Sequence, residues 1–160
     1  MGRIEGESSA TIEAPVTRVF EAAADVEGSP RWQPQIKRAE ARERDEAGRQ
    51  VLVETVTDGK VRDLRSVLRF SYEEPVSISW VQEEGDLSAV EGSWALADLG
   101  DGRTEATYRL SVDLGRMLGM VVRGPVVDLL RKQLVEGMPA KLKRFLESDE
   151  RQPGGSEDDG

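Results

Sequence analysis

The chain has 160 residues and a formal net charge of −9, with no cysteine and no histidine. Lacking cysteine it has no disulfide, no thiolate nucleophile and no Cys-ligated metal; lacking histidine it loses the commonest general base, the commonest metal ligand and every triad built on imidazole. The length suits one domain with a real core, and the acidic balance argues against nucleic acid or anionic lipid as a partner.

In chain order, the opening MGRIEGESS has no apolar core of the kind a signal peptide needs. A strand is predicted from Arg3 to Ala14, with Ile4, Gly6, Ser8, Ala10 and Ile12 on one face. Pro15 opens a helix whose apolar stripe is Val16, Val19, Phe20 and Ala23 or Ala24. Gly28-Ser29-Pro30 ends it, and Arg31 to Pro34 follow as a loop anchored by Trp32. From Gln35 the period changes to two. Strands are expected over Ile36–Arg44, Gln50–Thr57, Leu64–Tyr72, around Val76-Ile78-Trp80, around Val90-Trp94-Leu96, and over Thr104–Leu114. Asp58-Gly59, Glu73-Glu74-Pro75, Glu84-Gly85-Asp86 and Gly100-Asp101-Gly102 punctuate them as turns. The result is an antiparallel meander with one wet face.

The last element has another rhythm. After Gly115 and a Met-bearing link, Val122, Val126, Leu129, Leu130, Leu134, Met138, Leu142 and Phe145 recur at helical spacing. Pro139 lies inside this pattern and is expected to kink the helix. Beyond it, Glu147, Asp149, Glu150, Glu157, Asp158 and Asp159 face Arg151 alone. Residues 1–147 are therefore expected to form the domain, and 148–160 a disordered acidic tail. No apolar run approaches the roughly 18 residues a membrane span needs, so a cytoplasmic protein is expected. One curved sheet of about seven strands with helices on one side is an α+β arrangement. Its concave face can hold the long C-terminal helix and leave an apolar pocket between them.

Two runs carry a family resemblance. Ile12-Glu13-Ala14-Pro15-Val16-Thr17-Arg18-Val19-Phe20 and Asp25-Val26-Glu27-Gly28-Ser29-Pro30-Arg31-Trp32-Gln33-Pro34 resemble the opening of START-like (SRPBCC) proteins, as in the polyketide cyclase/dehydrase and coenzyme Q-binding branches. Gly92 to Leu96 and Gly102 to Leu110 are similar too, so the likeness spans about residues 2–146. It implies the helix-grip fold and a cavity for a hydrophobic ligand. It does not imply one activity.

Candidate ligand-binding residues are Phe70, Tyr72, Trp80, Trp94 and Tyr108 on the sheet, and Met117, Met120, Leu130, Leu134 and Met138 on or beside the last helix. For each, core packing is the competing reading. Buried tyrosine hydroxyls need partners, and one in an apolar cavity could orient a ligand carbonyl. Trp32 reads as a plug at one end of the barrel or as a gate over its mouth. Glu54 is an acid–base candidate if it shares an inward face with Leu52 and Val56; if Val51 and Val53 point inward instead, it is a surface charge, and that register is preferred here. Arg65 and Arg69 read as cross-strand surface charges. With no phosphate loop, metal-ligand cluster or nucleophile elbow, no cofactor and no metal is expected, and no catalytic residue is assigned. The expected function is binding or transport of a lipid, isoprenoid quinone or polyketide-like molecule by a monomer or small homo-oligomer. A cyclase/dehydrase-type enzyme and a non-catalytic interaction module are the alternatives.

Overall fold

The computed structural model describes residues 3–59, 62–116, 120 and 124–151. Seven strands form one antiparallel sheet: β1 (Arg3–Ile12), β2 (Ile36–Arg44), β3 (Gln50–Asp58), β4 (Asp63–Glu73), β5 (Ser77–Gly85), β6 (Ala89–Gly100) and β7 (Arg103–Asp113). Their spatial order is β1-β7-β6-β5-β4-β3-β2. Every connection from β2 to β7 is a hairpin between neighbours, so only β1 crosses over to pair with the last strand.

The period-two pattern places Ile78, Val90, Trp94, Leu96, Ala106 and Tyr108 on one buried face. Helix α1 (Val16–Ala24) lies against it through Val19, Phe20, Ala23 and Ala24. Arg49 from the β2–β3 connection fastens α1 from outside. Its guanidinium donates to both oxygens of Glu21, at 3.0 and 2.6 Å, and to Glu74 at 2.8 Å, and lies 5.0 Å over the Phe20 ring. These hydrogen bonds hold the Glu21 carboxyl below its ordinary pKa.

The segment after α1 is more ordered than its Gly-Ser-Pro run suggested. Val26–Arg31 forms a 3-10 helix, with the Asp25 carboxylate accepting from Gly28 N at 3.2 Å. It serves the sheet edge: the Glu27 carboxylate accepts from Ala41 N and from Arg44 of β2, both at 2.7 Å. The opposite edge is tied down by the C-terminal helix. Lys143 donates to Thr11 O at 2.8 Å, and Glu147 accepts from Glu13 N at 3.0 Å. Both edges are thus engaged by the chain itself, which blunts edge-to-edge pairing.

The C-terminal helix differs from the expected single kinked rod. It comprises α2 (Pro125–Arg131), a π-helical segment (Lys132–Glu136), a turn at Gly137, and α3 (Met138–Arg151). The irregularity precedes Pro139 rather than arising from it. Gly137 N reaches back five residues to Lys132 O at 2.9 Å, while Pro139 occupies the first turn of α3, where a missing N–H costs nothing. The bulge lies where the helix crosses β1. There Val135 is fully buried, a Cβ on Gly6 would stand only 3.3 Å from its Cγ1, and Ser8 Oγ donates to Val135 O at 2.7 Å. Residues 148–151, expected in the tail, continue α3; 152–160 lie outside the described residues. No described helix is long and apolar enough to cross a membrane.

Candidate ligand-binding cavity

Between the sheet and α2–α3 lies a cavity of about 160 Å³. One wall is aromatic. Strand register puts Phe70 opposite Trp80 and Trp94 opposite Tyr108, with Gly92 paired to both Trp80 and Leu110. The rings form a continuous series: Phe70–Trp80 at 5.5 Å, Trp80–Tyr108 at 5.8 Å and Trp94–Tyr108 at 4.8 Å between centroids. Gly92 makes this possible. A Cβ there would come within 2.5 Å of the Trp80 ring, so the bare backbone is the surface on which the indole rests.

Leu130, Leu134 and Met138 close the cavity from the helical side. The remaining wall carries Ser29, Gln33, Gln35, Thr55, Thr57 and Ser66. Asp58 and Gly59, at the β3–β4 turn, bound one end together with Leu87 and Leu114. Among the described residues that line the cavity, Asp58 is the one charged residue, and neither lysine nor arginine is among them. Lys141 stands just behind the polar wall, donating to Gln35 Oε1 at 3.3 Å and Gln133 O at 2.9 Å. Burial pushes its pKa below the ordinary lysine value.

Of the ten candidate residues, Phe70, Trp80, Trp94, Tyr108, Leu130, Leu134 and Met138 line the cavity. Tyr72 does not. It turns toward α1, meets Phe20 edge-on at 6.2 Å and donates its hydroxyl to Gln50 O at 2.6 Å. Burial raises its pKa to about 12. Met120 is 63% exposed and stands outside the wall; Met117 lies outside the described residues. Trp32 has the geometry of a plug. It is buried, stacked on Phe145 at 6.3 Å and tilted against Trp94 at 6.4 Å.

Glu54 lies on the outer face, because its neighbours Val53 and Thr55 are the ones buried. Arg65 and Arg42 both donate to its carboxylate. These bonds, that to Arg65 first, hold its pKa below the ordinary glutamate value. The polar wall escaped the sequence reading because serine, threonine and glutamine resemble surface residues there. Thr55 could have been found from the preferred register, which turns it inward with Val53. A wider concavity of about 790 Å³ lies on the outside of the sheet around Arg69, Ser79, Glu91 and Arg109. Its arginines are already engaged, Arg69 with Glu83 at 2.6 Å and Arg109 with Glu7 at 2.8 Å.

A curved seven-stranded antiparallel sheet gripping a C-terminal helix over an apolar cavity is the architecture of START-like proteins. A START superfamily protein from Mycobacterium smegmatis superposes with a TM-score of 0.78 at 20% identity, over 91% of this chain and 98% of that one. A Thermus thermophilus protein gives 0.73 at 21% identity, over 91% and 98%. The Zhui aromatase/cyclase from a Streptomyces strain gives 0.63 at 20% identity, over 91% and 83%. At such identities the likeness is one of fold. No curated protein matches by sequence. The chain belongs to the family described as polyketide cyclase / dehydrase and lipid transport, whose model matches residues 3–147.

Proposed function

We propose that this protein binds or transports a small hydrophobic molecule in the cavity between sheet and helix. The observation that carries the reading is the wall itself: four aromatic rings and three aliphatic helix residues around about 160 Å³, with Asp58 the only charged group among the described lining residues. Affinity comes from apolar area removed from water, about 25 cal/mol per Å² before the costs of association. Ligand pockets usually span about 300–1,000 Å³. The smaller volume favours a compact, ring-sized ligand over a whole isoprenoid quinone or a two-chain lipid. Family membership supports a hydrophobic-ligand or cyclase role equally. The wall favours binding, because proton transfer by a cyclase calls for paired ionisable groups facing the substrate. An interaction module with a vestigial interior is disfavoured by the void. The proposal includes a cytoplasmic protein working as a monomer or small homo-oligomer.

Native mass spectrometry of the freshly purified protein, followed by solvent extraction, tests the reading. A co-purified apolar molecule, released on unfolding, is the expected result. An empty protein that also ignores ring-sized apolar probes would sink it.

A further inference from the structure

The buried polar groups of the cavity wall fall into two kinds. Ser29, Gln35, Thr55 and Ser66 are each more than nine-tenths buried, and each is already engaged. Ser29 Oγ donates to Val26 O at 2.7 Å, Thr55 Oγ1 to Ser66 O at 3.4 Å and Ser66 Oγ to Gln82 Oε1 at 2.7 Å. Gln35 donates to Gln33 Oε1 at 3.4 Å and accepts from Lys141 at 3.3 Å.

Tyr108 is of the other kind. It is 7% exposed and lines the cavity, and its hydroxyl bonds to none of the described residues. Yet among those residues no wholly sealed side-chain nitrogen or oxygen is left without a partner. The hydroxyl therefore keeps free surface, and the free space beside this inward-facing residue is the cavity. The indole N–H of Trp94 is in the same position: the residue is 3% exposed, lines the cavity, and bonds to none of the described residues. An indole N–H can only donate. Burial raises the Tyr108 pKa far above the ordinary tyrosine value, so the phenol keeps its proton and is available as a donor.

Two unspent donors in an apolar chamber call for an acceptor. The described lining residues include no lysine or arginine to pair with an anionic acceptor, and a cation would meet the donor hydrogens. The volume sets the size, since a dry apolar cavity of about 150 Å³ admits benzene. Resting on the reading of this cavity as a ligand site, we infer that its ligand is a neutral molecule of about one aromatic ring bearing a carbonyl or similar acceptor, held by the Tyr108 hydroxyl.

The test uses acetophenone and its near-isostere isopropylbenzene, which lacks the acceptor. Both are titrated into the full chain and into Tyr108→Phe, with binding followed by ¹H–¹⁵N shifts that include the tryptophan indole protons. The variant leaves no described partner unpaired and is expected to fold. Expected is binding of both probes to the unaltered protein, with Tyr108→Phe weakening acetophenone about five- to tenfold, the scale of one neutral hydrogen bond, and leaving isopropylbenzene unchanged. Equal effects on both probes, or none, with isopropylbenzene still binding, would overturn the anchor and leave the cavity a binding site. Failure of both probes to bind the unaltered protein would overturn the binding reading and the inference together. Tighter binding of the two-ring ketone 2-acetonaphthone than of acetophenone would overturn the size limit.

Discussion

Glu54 illustrates how a single side chain changes meaning with register. On the outer face it joins β2 to β4 by bridging Arg42 and Arg65, and its folded-state pKa lies below the ordinary value of 4.5. The stabilisation is therefore complete above the unfolded-state pKa and is lost as pH falls through the lowered folded-state value. Glu54→Gln should destabilise by about 1 kcal/mol or less at pH 7, and its deficit should shrink at an acid pH where the folded-state carboxyl becomes protonated. Urea denaturation at the two pH values reads this directly. Gly92 makes the opposite point, since its importance lies in what it lacks. The Trp80 ring is held between Phe70 and Tyr108 and has little freedom to yield. Gly92→Ala should cost about 1–3 kcal/mol as overpacking, shift tryptophan emission, and impair ring-sized ligands. Unchanged emission and stability would show that the indole can move aside. Alternation alone assigned Trp80, Trp94 and Tyr108 to one face. The need for a glycine opposite Trp80 appears only when β5 and β6 are set in register.

At the level of elements, the strands were legible and the helix was legible in outline. Period-two patterning and turn residues mark β2 to β7 because each strand has one buried and one solvated face. The 3-10 helix and the π-helical segment are not written in hydrophobic spacing. Each answers to a contact with a distant strand: Glu27 with Ala41, and Val135 with Gly6 and Ser8. The contact at β1 can be tested. Ser8→Ala removes the hydroxyl that serves Val135 O, and should cost about 1 kcal/mol. Backbone hydrogen exchange should rise across residues 132–137 more than in β3 or β4. Uniform exchange would mean that the bulge is held by packing alone. Pro139, the residue that drew attention in the sequence, is buried quietly in the first turn of α3.

For the whole molecule, binding in the cavity must appear as stability, because a ligand that binds only the folded chain shifts its unfolding equilibrium. Acetophenone at a hundred times its dissociation constant should raise the unfolding free energy by about 2.7 kcal/mol, with a matching rise in melting temperature, and should do so less in Tyr108→Phe at the same concentration. A melting temperature indifferent to ligand would place any binding on the exterior or in the unfolded chain. The sequence by itself determined the fold class, the inward-facing aromatic residues and the absence of cysteine and imidazole chemistry, because periodicity and composition are local properties that each residue carries with it. Only the tertiary structure decided that Tyr72 meets α1 while Tyr108 lines the cavity, that Thr55 and Ser66 find hydrogen-bond partners inside the protein, and that the cavity measures about 160 Å³. Those outcomes depend on which residues from distant segments come to share one small volume, and hydrogen-bond partners and free space are properties of the packed whole.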